Sequence, residues 1–100
     1  MSNFSDRVEP LGVPSNARQL TAGSTSSNTA LTYNTSRISM RAVSADIRFV
    51  IGIGSQTASA TTSHFIGKNE RLDFAVPRGA NIAIIRDASV NGTLELTELA

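Results

Sequence analysis

His64 is the single histidine of this chain, and cysteine is absent. A Ser-His-Asp triad or a zinc site needs a histidine beside a base or further ligands. The neighbours Ser63 and Phe65 supply neither, so an ordinary strand or loop histidine is expected. Without Cys there is no disulfide, thiolate metal site or thiol nucleophile. Carboxylates stand at Asp6, Glu9, Asp46, Glu70, Asp73, Asp87, Glu95 and Glu98. A pair such as Asp46 and Asp73 would have to converge in space for acid–base work. Each sits beside an arginine or on a polar strand face, which predicts solvated surface charge instead. Gly52-Ile53-Gly54 looks like a piece of a phosphate loop. It lacks the Lys-Ser/Thr, the third glycine and the following helix that would hold phosphate, so a turn is expected. No catalytic residue, metal or cofactor is assigned.

The arginines carry more information. They are eight of the nine basic residues, at positions 7, 18, 37, 41, 48, 71, 78 and 86. Arginine forms bidentate pairs with carboxylates and is enriched at protein interfaces. Arg37, Arg41 and Arg48 are expected on the wet face of neighbouring strands, where they would form a salt-bridged interface. Nucleic acid is not the expected partner. The net charge is only +1, too small for a strong basic field, and no aromatics interleave with the arginines to stack bases.

These residues must be positioned by a small protein. One hundred residues make a single domain, since two would each be too small to hold a core. Charged residues are 17% of the chain, too few for a long solvated helix or coiled coil. Met1 to Gly12 has Asp6, Arg7 and Glu9 and no apolar core, so no targeting signal is read there. The densest apolar run, Phe49 to Ile53, cannot cross a bilayer, and no membrane partner is expected. Synthesis and folding in the cytosol follow.

The texture changes near residue 36. Before it, Pro10, Gly12, Pro14 and Gly23 interrupt regular structure, and Thr21 to Thr29 is almost wholly small and polar. Residues 1–36 therefore read as an extended N-terminal arm. Val8, Leu11, Val13 and Leu20 are its apolar anchors, spaced to dock on a neighbouring subunit. Residues 37–100 read as the core domain, and removal of residues 1–20 is expected to leave it folded.

Beyond residue 36 the apolar period is two. Ile38, Met40 and Ala42 alternate with arginines and serine; Ile47, Phe49 and Ile51 form a second set and Leu72, Phe74 and Val76 a third. Such alternation is the signature of antiparallel strands with one buried face. Asn81 to Ile85 is apolar on both faces, as in a central strand, and Leu94 and Leu96 close the pattern. Pro77-Arg78-Gly79 and Asn91-Gly92 mark turns, the second within a hairpin loop from about Ala88 to Gly92. Six or seven short strands predict an all-β fold, a small antiparallel β-sandwich or jelly-roll-like barrel. The expected core is Ile38, Met40, Ile47, Phe49, Ile51, Phe65, Leu72, Phe74, Val76, Ile82, Ile84, Leu94 and Leu96. That core is small, and oligomerisation is a common remedy.

Residues 38–99 resemble small structural proteins of tailed-bacteriophage virions. The resemblance lies in Ile47-Arg-Phe-Val-Ile-Gly-Ile-Gly54 with the small-residue loop after it, and in Arg71-Leu-Asp-Phe-Ala-Val-Pro-Arg-Gly79. It continues in Asn81-Ile-Ala-Ile-Ile-Arg86 and Gly92-Thr-Leu-Glu-Leu-Thr-Glu-Leu99. It implies a head decoration or cement protein on the capsid exterior, bound to the major capsid protein. A dimer or trimer would match capsid symmetry axes. The alternative is a tail- or fibre-associated module or a carbohydrate-binding sandwich. Against sugar binding, the chain has no Trp and its one Tyr, Tyr33, falls in the arm.

Overall fold

The computed structural model describes residues 14–100. Eight strands follow in order: β1 (Pro14–Ala22), β2 (Ser27–Ala30), β3 (Arg37–Val43), β4 (Ile47–Ile53), β5 (His64–Ile66), β6 (Arg71–Ala75), β7 (Ala80–Arg86) and β8 (Gly92–Leu99). They form two antiparallel four-stranded sheets, β1-β8-β3-β6 and β2-β7-β4-β5.

The pairing has a simple origin. A fold-back at the β4–β5 loop sets β4 against β5, β3 against β6, β2 against β7 and β1 against β8. The result is one long two-stranded ribbon. Rolling that ribbon brings β3 beside β8 and β4 beside β7, which completes both sheets. This is the double-sheet jelly roll, within the all-β class expected from the alternation. Ile38, Met40, Ile47, Ile82, Ile84, Leu94 and Leu96 lie between the sheets and are buried.

Two expectations change at the N-terminal side. Residues 14–36 do not form an arm. Their strands β1 and β2 pair with β8 and β7, and Ala22 and Leu31 are buried in the core. Of the proposed anchors, Leu20 is partly buried and packs against the core of its own chain. Val8, Leu11 and Val13 lie outside the described residues. The turn assignments change as well. β7 and β8 belong to different sheets, so Asn91-Gly92 is a crossing between sheets and not a hairpin tip. Space is tight at Gly92, where a Cβ would sit 3.2 Å from the Ala45 carbonyl oxygen. The Pro77-Arg78-Gly79 turn also crosses between sheets, with Gly79 at φ +78°.

A buried carboxylate locks β1 in place. Glu98 points inward from β8 and is fully buried. The Thr35 hydroxyl donates to its Oε1 at 2.6 Å and the Thr32 amide at 2.7 Å, while Arg18 of β1 donates to Oε2. Burial pushes the carboxyl toward its neutral form. The bonds from Thr35, Arg18 and Thr32 outweigh it and hold the pKa below the usual glutamate value.

The long small-residue segment between β4 and β5 is a strap over the outer face of the second sheet. The Gln56 amide donates to Asn28 Oδ1 at 2.9 Å and the Ala58 amide to Ser26 Oγ at 2.8 Å. Asn28 is the register partner of Ala83, which points outward by alternation yet is buried. Ala58 of the strap is buried in this contact. A Cβ on Gly52 would meet the Gln56 side chain at 2.8 Å.

Candidate functional site

The outer face of the first sheet is a grid of short side chains with three arginines. β3 alternates, placing Ile38, Met40 and Ala42 inside and Arg37, Ser39 and Arg41 outside. Register then aligns the neighbours. One row across the sheet reads Gln19, Glu95, Arg41, Arg71, and the next reads Ala17, Thr97, Ser39, Asp73. Arg37 stands opposite Ala75 in the following row.

Arg41 and Arg71 are thus direct cross-strand partners on one face. Like charges in that relation repel. Glu95 stands directly across from Arg41, and Asp73 lies on the same face two residues from Arg71, but neither forms a direct ion pair with them. Arg41 donates to Asn69 Oδ1 at 3.1 Å and Arg71 to Ser39 Oγ at 2.9 Å, both neutral oxygens. Glu95, beside Arg41 in the row, accepts instead from Gln19 at 3.3 Å. Among the described residues the direct ion pairs are Arg18–Glu98 and Arg48–Asp87, so Arg37, Arg41 and Arg71 make none. Among the described residues no direct ion pair within the chain engages these three guanidinium groups, which leaves donors for an outside acceptor.

Arg48 does not join the other two. β3 and β4 are adjacent in sequence but belong to different sheets. Arg48 pairs with Asp87 at 2.8 Å, donates to the Ser63 carbonyl at 3.0 Å and lies 5.0 Å from the centre of the Phe65 ring. It is committed to holding the strap and the end of β7. Arg71 takes its place in the cluster. Its alternation with Leu72 was visible in sequence, but its pairing with Arg41 is a fact of register between distant strands.

A second feature opens where the sheets part, between the edge strands β5 and β6. Phe49, Ile51, His64, Leu72, Phe74 and Val76 line a groove of about 450 Å³. Phe49 stands 5.8 Å from Phe74 and 5.5 Å from His64, ring centre to ring centre. Phe65 and Phe74, expected in the core, are 45% and 39% exposed. Phe65 is the register partner of Arg48 and faces outward with it, whereas Phe74, the partner of Ile38, faces inward and stays exposed because the three-residue β5 leaves that side of the sandwich uncovered.

The acid–base candidates do not converge. Asp73 lies on the outer sheet face opposite Ser39, while Asp46 lies beyond the end of β3 and accepts from the Lys68 amide at 2.7 Å. The four residue steps from Ser39 to Val43 alone span about 13 Å. Gly52 and Ile53 extend β4, and Gly54 leaves it at φ +81°. Among the described residues no group of three His, Asp or Glu is placed to hold a metal ion. Comparison with known proteins finds no match among family models, curated proteins or solved structures.

Proposed function

We propose that this protein is a structural virion component that decorates the capsid exterior and binds the major capsid protein through the arginine face. One observation carries the reading: Arg37, Arg41 and Arg71 crowd one sheet face and none makes a direct ion pair, although Glu95 and Asp73 share that face. The fold tolerates the repulsion between Arg41 and Arg71, which an acidic partner surface would relieve. Ala17, Ser39 and Thr97 between them are short enough to let a partner approach closely. The resemblance to phage structural proteins and the jelly-roll architecture agree with this reading without deciding it. Repetition of the site over a capsid would add avidity to modest single contacts.

The test uses purified heads of the virus that encodes the protein. The wild-type chain is expected to co-sediment with them. Arg41→Glu/Arg71→Glu is expected to weaken binding at least tenfold, about 1.4 kcal/mol. Wild-type binding should also fall with added salt, because the contacts are rim charges. Equal binding by wild type and the double variant would remove the arginine face from the mechanism. Failure of the wild type to associate with heads would remove the capsid reading itself.

A further inference from the structure

We infer that the groove between β5 and β6 receives the N-terminal residues 1–13 of a neighbouring copy, joining copies head to tail. The groove needs an apolar occupant: Phe49, Phe74 and Val76 line it and Phe74 remains exposed. It also offers backbone. β5 covers β4 only from Ile47 to Phe49, so Val50 to Ile53 has no strand beside it on that edge among the described residues. An extended segment can add there as a strand while its side chains fill the groove.

The occupant follows from where the chain enters the sandwich. Thirteen residues precede Pro14, with apolar side chains at Phe4, Val8, Leu11 and Val13. Leu11 and Val13, two apart, share one face of an extended chain. Register sets Pro14 in one row with Leu99, Arg37 and Ala75. The segment therefore starts at the same end of the sheet as the groove mouth.

It starts, however, at the opposite edge. β1 and β6 are the two outer strands of the first sheet, three strand spacings apart. Reaching its own groove would take the segment across roughly 14 Å of sheet end, about four of its residues. Copies set side by side bring the β1 edge of one against the β6 edge of the next, and the whole segment is then available. Such a contact is heterologous, and it closes into a ring when the rotation between copies allows. The inference does not rest on the capsid reading, since no heads enter its test.

The absence of Cys gives a clean background for the experiment. Full-length Val8→Cys and Ala75→Cys proteins are mixed and treated with a short bismaleimide. A product joining one of each is expected, at least tenfold above that from Val8→Cys mixed with Thr97→Cys, which lies mid-sheet. Phe74→Ser, made in the Ala75→Cys chain, should abolish the product and shift the native mass of the protein to that of a monomer. Should Phe74→Ser fail to fold by circular dichroism, Phe4→Ser/Leu11→Ser leaves every described residue unchanged and must give the same shift. No product above the Thr97 control overturns the inference. So does a link that forms inside the double variant Val8→Cys/Ala75→Cys at high dilution but not between single variants.

Discussion

Glu98 is a polar residue in a position that alternation reserves for an apolar one. Its place between Leu96 and Leu99 in β8 reads as inward by period, and its charge reads as outward by type. Nothing in the local sequence resolves the conflict, because its partners Arg18, Thr32 and Thr35 lie more than sixty residues away. The physical answer is that a buried carboxylate is tolerable when each lone pair has a donor. Glu98→Ala removes the acceptor of the Arg18 Nε–H, the buried Thr35 hydroxyl and the Thr32 amide, while Arg18 keeps the Ala30 carbonyl, and is expected to cost about 3 kcal/mol in chemical denaturation. The depressed folded-state pKa fixes the sign of the pH effect. Its contribution is fully present above the unfolded glutamate value of about 4.3 and is lost as pH falls through the lower folded value. Between about pH 7 and pH 3 the stability gap between wild type and Glu98→Gln should therefore narrow. A gap that stays constant would show that ionised Glu98 contributes nothing through this linkage.

The strap between β4 and β5 is a loop, as its composition predicts, but composition does not show what it packs against. Gly54, Ser55, Thr57, Ala58 and Ser59 read as a loop because they are small and polar. Their smallness serves close packing on the outer sheet face, where Ala58 is buried. Arg48 fastens the far end through Asp87 and the Ser63 carbonyl. Arg48→Ala should leave the sandwich folded and cost about 1 kcal/mol, since the Asp87 pair is partly exposed. The same change should raise amide exchange of residues in the strap well above that of β7. Uniform exchange across both would show that Arg48 does not hold it. The strands β3, β4, β6 and β8 were readable because apolar residues recur at alternate positions, and β7 because it is an apolar run on both faces. β1 was not. Asn16 and Arg18 occupy inward positions to meet Glu98, so only Leu20 and Ala22 keep the apolar period. Site residues followed the same rule: Arg37 and Arg41 share a strand and stay together, whereas Arg48 and Arg71 were sorted by topology.

At the scale of the whole molecule, the ribbon ties one end of the described chain to the other. β1 pairs with β8 along nearly its full length, from Pro14↔Leu99 to Ala22↔Gly92. Contacts so distant in sequence are formed late and against loop-closure entropy, so β1 docks onto a sheet that is otherwise built. This position replaces the expectation that residues 1–20 are dispensable. A chain beginning at Pro14 keeps every described strand and should unfold cooperatively, within about 1 kcal/mol of the full-length protein when both are measured as monomers. A chain beginning at Gly23 loses Leu20 and Ala22 from the core and leaves Glu98 without Arg18. It also exposes the edge of β8, whose Leu94 and Leu96 are then uncovered at the side of the sandwich. Two lost apolar contacts and a broken buried pair amount to roughly 5 kcal/mol, comparable with the whole stability of a small domain. The shorter chain is therefore expected to be unfolded or aggregated in circular dichroism and size-exclusion chromatography, while the longer one is folded. A folded, monomeric chain beginning at Gly23 would return β1 to the status of an arm.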